Sequence, residues 1–217
     1  MKKKKNEQND IFVKSILIII SYFALTYIVR FVTNSRLISM LLYLIYAIIL
    51  MFLYRNTFFS DFKDIKKNWK KYIKNILISI VLIFVSMIII NMVIGILFDI
   101  KETSENDFSL LNTFKESPIV VILLTCLYYP LIEGIIFRKS TRDIIDSKWF
   151  FIIFSSLFYF LFNIIYTSMS FNNIMASLCY FSTMMIVSAS YWKTTNFTVS
   201  ILIMSIFNLI VCLLRFM

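Results

Sequence analysis

Few side chains in this sequence could do chemistry, and those that could are scattered over three apolar stretches. In the first, Pro130-Leu131-Ile132-Glu133-Gly134-Ile135-Ile136-Phe137-Arg138 sets a carboxylate about one and a half helical turns before a guanidinium. In the second, Tyr159 and Asn163 stand at i, i+4, so a phenol and an amide share one helix face. The third adds another amide, Asn208, four residues after Met204. Together they offer one titratable carboxylate, one fixed cation and two amides. Such a set can bind a polar group or hold a water beside Glu133, but the amides cannot shuttle a proton near neutral pH. The chain contains no histidine, so imidazole catalysis and imidazole metal ligation are excluded. Cys126, Cys179 and Cys212 fall in separate apolar runs and read as small buried hydrophobes; no metal site and no cofactor are expected. Each polar group also has an ordinary structural reading. Glu133 can pair with Arg138 or lie near hydrated head groups, and the amides can be interhelical glue worth about 1 kcal/mol per bond.

The elements that must carry these groups follow from composition. Of 217 residues 60% are hydrophobic, and the mean hydropathy of +0.83 is more apolar surface than a water-soluble domain can hide. Two glycines and two prolines leave little material for the turns of a β-barrel. The fold class is therefore all-α, a polytopic bundle of about seven transmembrane helices. Windows of roughly 20 residues occur near 11–33, 37–54, 72–98, 118–137, 149–168, 172–192 and 197–216. We divide the chain into a basic tail (1–10), an N-terminal set of helices (11–116) and a C-terminal core (117–217). The first apolar run lacks a small-residue cleavage site and reads as a retained span.

The net charge of +10 sits at the ends of these windows, without the interleaved aromatics of a nucleic-acid platform, so the expected partner is the lipid bilayer and not nucleic acid. Lysines of the tail, of the 55–74 link and of the 138–148 link mark one side, expected to be cytoplasmic. The link at 99–116, with Glu102, Glu105, Asp107 and Glu116, falls on the other side, and an odd number of spans sends Met217 there too. The chain is thus expected in the plasma membrane, multi-pass, with its N-terminus in the cytoplasm. Segment 61–74 places Phe62, Ile65, Trp69, Tyr72 and Ile73 at helical spacing among lysines. It reads as an interfacial amphipathic helix, serving either anionic lipid recognition or topology alone.

The order and spacing of the polar groups resemble the CAAX-protease and bacteriocin-processing superfamily of intramembrane proteins, the Abi family, over roughly residues 118–212. Its first motif, Glu-Glu-x-x-x-Arg, is similar to PLIEGIIFR, which keeps Pro130, Glu133, Phe137 and Arg138 but has Gly134 for the second glutamate. Its second, Phe-x-x-x-His, aligns with Tyr159 and Asn163. Its third, His-x-x-x-Asn or Asp, aligns with Met204 and Asn208. The resemblance implies catalytic-equivalent positions Glu133, Arg138, Asn163 and Asn208, with Tyr159 available to a substrate or partner. In active members the glutamates and histidines are thought to activate a water, directly or with a metal. Without histidine the expected role is a pseudoprotease that binds a membrane protein or peptide, as in bacteriocin self-immunity or an accessory envelope function. The alternative is an active intramembrane endopeptidase running on Glu133. A transporter or channel is disfavoured by the scarcity of mid-membrane charge. One geometric tension remains: Glu133 is about five residues from the end of its window and Asn163 about fourteen into its own, a depth difference of ~10 Å that vanishes if the fourth span continues past Arg138.

Overall fold

Long runs of Ile, Leu, Val and Phe satisfy their backbone internally as helices, the arrangement a hydrocarbon environment requires. The structure, a computed structural model, describes residues 2–31, 36–100, 104, 113–114, 117–165, 167 and 169–216. Among the described residues there is no strand. Eight helices follow in order: α1 (Lys2–Phe31), α2 (Arg36–Leu53), α3 (Arg55–Lys67), α4 (Trp69–Phe98), α5 (Pro118–Ile144), α6 (Lys148–Ile165), α7 (Phe171–Thr194) and α8 (Phe197–Phe216). Six of them are long and apolar enough to cross a membrane, and the apolar pair of α2 with α3 is bent by 68° between Leu53 and Arg55, which makes seven if that pair counts as one broken span. Their outward faces carry large apolar side chains such as Leu77, Val81, Ile88 and Met92 of α4, suited to acyl chains. The acidic 99–116 link lies largely outside the described residues.

Two boundaries differ from those read in the sequence. The basic 61–74 segment is divided between α3 and α4 at Asn68, where the helix breaks and Asn68 Nδ2 donates to Asp64 Oδ1 at 2.7 Å. The fourth span does not stop near 137 but runs to Ile144, because Lys139, Arg142 and Asp143 still find partners there. Lys139 pairs with Asp143 at 2.5 Å, and Arg142 stacks 3.8 Å above the Trp192 ring of α7. That extension removes the depth mismatch between Glu133 and Asn163.

Polar contacts gather the basic segments at one end of the bundle. Lys14 of α1 donates to Leu53 O and lies over Tyr54, Ser15 donates to Asp143 of α5, and Tyr54 meets Ser140 at 3.5 Å. At the same end Asp61 of α3 completes the start of α8. Its Oδ2 accepts from Thr198 N at 3.1 Å and from Thr198 Oγ1 at 3.2 Å, while Asn196 Oδ1 accepts from Val199 N. Orphan N–H groups of a buried helix start are thus satisfied by side chains, one of them from a different helix. Inside, α7 is the most polar strut: Ser188 meets Ser155 of α6 at 2.9 Å, and Ser190 and Cys179 bond Asn75 and Asn91 of α4. Small hydroxyl residues let these helices approach closely and hydrogen-bond without water.

Candidate functional site

Helix α5 carries the first group of candidates, and it is not a regular α-helix. Pro130 has no N–H and its ring crowds the preceding turn; the turn just before it, Leu124–Tyr128, is widened to a π-helix, and a second π segment spans Gly134–Ser140. Widened turns release carbonyls, and side chains of α5 itself and of neighbouring helices collect them. Asn208 Nδ2 of α8 donates to Thr125 O at 2.7 Å, Ser155 Oγ of α6 to Phe137 O at 2.5 Å, and Thr141 Oγ1 to Ile136 O at 3.2 Å. The distorted helix is therefore pinned on two sides by side chains that lock onto its backbone.

Between the two π segments, Glu133 is half-buried and accepts a hydrogen bond from Tyr159 Oη of α6 at 3.3 Å. Asn163, one turn further along α6, donates from Nδ2 to Tyr159 O at 2.8 Å, a bond along its own helix. Phe137 forms the floor: fully buried, its ring lies 5.1 to 5.5 Å from those of Phe158, Tyr159 and Phe162, and edge-on to Tyr22 of α1 at 6.3 Å. Arg138 is also without exposure; its Nη2 donates to Met184 Sδ of α7 at 3.2 Å. Among the described residues Glu133 and Arg138 form no ion pair with each other.

The five sequence candidates therefore fall into two groups. Glu133, Tyr159, Asn163 and Arg138 sit around the α5–α6–α7 junction. Asn208 is engaged with Thr125, eight residues before Glu133, or ~12 Å along α5. Helix α8 runs antiparallel to α5, with Ile201 against Gly134 and Asn208 against Thr125. Met204, at the position of the third motif's histidine, lies between them on the same face and is buried. Ile201 and Met184 are the site neighbours that the sequence did not single out, since a hydrophobic residue in a hydrophobic helix carries no signal of what it faces. A cavity of about 320 Å³ opens elsewhere, lined by Ile11, Arg142, Asp143, Asp146, Tyr191, Trp192 and Thr195, and none of the five candidates borders it.

The Asn208 bond makes a prediction. Asn208→Leu is expected to destabilise the bundle by about 1 to 3 kcal/mol, because the Thr125 carbonyl freed by the π turn loses its donor in an apolar setting. Unfolding in mixed SDS micelles measures it. A change no larger than that of an exposed control such as Leu213→Ala would mean that Thr125 O finds another partner.

Nothing here adds a second carboxylate or an imidazole to Glu133. The arrangement holds a polar pair, Glu133 and Tyr159, against the aromatic cluster of Phe137 on a pinned, distorted helix. No curated protein and no solved structure matches the chain. Residues 115–210, the stretch that contains every one of these groups, match the family model described as type II CAAX prenyl endopeptidase Rce1-like, so over this stretch the chain is CAAX-protease-like.

Proposed function

We propose that this protein is a non-hydrolytic member of that group, which uses the polar cluster around Glu133 and Tyr159 to bind a membrane-embedded peptide or membrane protein. The observation that carries this reading is at Gly134, where the related motif has its second glutamate. An ideal Cβ at that position would lie 2.7 Å from Ile201 Cγ1, so α8 fills with hydrocarbon the space a second carboxylate would need. Buried Met204 stands where the third motif has an imidazole, and Asn208 serves the α5 backbone. A single carboxylate without a matched acid loses most of what acid–base catalysis supplies, on the order of 100-fold or more. Self-immunity toward a peptide toxin or an accessory role in the envelope suits a binder of this kind.

The purified chain in lipid nanodiscs, incubated with prenylated CAAX peptides and with bacteriocin leader peptides, is expected to release no cleavage product. A photo-crosslinker at Tyr159 is expected to capture one of these peptide classes. One observation favours the endopeptidase reading, the Tyr159 phenol donating to Glu133 as an acid beside a base. Product that forms with the wild-type chain and disappears with a folded Glu133→Gln variant would establish it. We place the basic end of the bundle in the cytoplasm of a plasma-membrane protein, with α3 and the first turns of α4 along the interface. Reporter fusions at Lys5, Lys67 and Asn106 are expected to report inside, inside and outside.

A further inference from the structure

Arg138 is the bulkiest side chain in the structure with no exposure at all. Apart from the Met184 thioether at Nη2, its guanidinium is unserved: Nε and Nη1 have no hydrogen-bond partner among the described residues. A guanidinium keeps its proton under all ordinary conditions and cannot escape burial by neutralising. Unpaired in an apolar bundle it is strongly unfavourable, so its surroundings demand an anion. Glu133 stands near enough for its charge to act on Arg138, but it makes no direct contact with the guanidinium and accepts from Tyr159, so Nε and Nη1 stay without an acceptor.

The place beside the unserved nitrogens can be located. An ideal Cβ on Gly134 would lie 3.4 Å from Arg138 Nη1, so a side chain at residue 134 would point at the unserved nitrogen. Glycine provides nothing, and the space is held by the end of the Ile201 side chain, Cγ1 and Cδ1. We propose that Arg138 anchors a carboxylate-binding subsite bounded by Gly134, Ile201 and Met184, which takes from a ligand the carboxylate that its own helix lacks. The space is held by two carbons of one flexible side chain, and a planar carboxylate is the anion that matches a guanidinium in shape and single charge. A ligand reaches it when Ile201 changes rotamer. The identity of the ligand as a peptide carboxylate rests on the binding function proposed above; the subsite itself does not.

Thermal unfolding of the full chain in detergent micelles, with sodium formate against sodium chloride at equal ionic strength, tests it. Formate is expected to raise Tm above the chloride value in a saturable way, as a ligand of the folded state does. Arg138→Met is expected to lose the difference, and Gly134→Glu to lose it as well, its own carboxylate having taken the place. Ile201→Ala is expected to keep the difference and to reach half-effect at several-fold lower formate. Equal responses to the two salts in the wild-type chain would overturn the proposal, as would a formate effect that persists in a folded Arg138→Met variant. Should Arg138→Met not fold, Ile201→Ala decides, and an unmoved half-effect concentration counts against the subsite. Peptide capture at Tyr159 with no formate response would reject the subsite and keep the binding function. A formate response without capture would support the subsite and reject the peptide.

Discussion

Phe137→Ala should lower the unfolding free energy by about 3 kcal/mol or more, the largest effect expected of any single truncation in the C-terminal core. Its ring is fully buried and touches four aromatic side chains from α1 and α6, so truncation opens a void that rigid neighbours cannot close. Lipid is as apolar as phenylalanine, so the loss is one of dispersion contacts and not of hydrophobic transfer. Steric trapping or SDS titration in bicelles gives the number, with Phe150→Ala as the control because Phe150 is 59% exposed on the outer face of α6. Because Tyr159 packs on the Phe137 ring, the Glu133–Tyr159 pair should loosen at the same time, visible as reduced crosslinking at Tyr159. A cost within about 1 kcal/mol of the Phe150 control, below the range for burying and then deleting an aromatic, would show that the hub is not closely packed.

Glu133→Leu and Glu133→Gln are expected to separate shape from charge. Leucine leaves the Tyr159 phenol without its acceptor and takes a carboxylate away from the neighbourhood of a buried guanidinium. The expected loss is on the order of 1 to 3 kcal/mol. Glutamine keeps an acceptor oxygen for Tyr159 at nearly the same volume and should remain close to wild type. The same unfolding assay reads both variants, and the Tyr159→Phe background supplies a second check. With the phenol absent, the gap between leucine and glutamine should shrink by the share that this hydrogen bond contributes. An unchanged gap would place the cost elsewhere, in the field at Arg138.

Composition and periodicity were enough for the helix bundle. Each span must satisfy its backbone alone in hydrocarbon, so a long apolar run is already a helix before any neighbour is known. Charge placement was equally legible: the lysines at 2–5, 63–74 and 139–148 flank apolar runs, and contacts such as Ser15 to Asp143 and Tyr54 to Ser140 bring these segments to one end of the bundle. Pro130, Glu133, Phe137 and Arg138, followed by Tyr159, Asn163 and Asn208, sufficed for the resemblance to CAAX proteases that the match over 115–210 bears out.

What only the tertiary structure decided was which groups meet. Sequence spacing orders residues along a helix but says little about rotation or register between helices, and both are set by side-chain packing over the whole interface. Hence the sequence could not tell that Asn208 would serve Thr125 rather than face Glu133, or that π turns on either side of Pro130 would create the carbonyl it serves. Nor could it tell that the space beside Gly134 would be filled by Ile201. That contact depends on the antiparallel register of α8 against α5, and it leaves Arg138 buried with two nitrogens unpaired. Residue types fixed which chemistry was absent, because no fold can supply an imidazole the chain does not contain; the register between two apolar helices determined which nitrogens of the buried guanidinium were left without an acceptor.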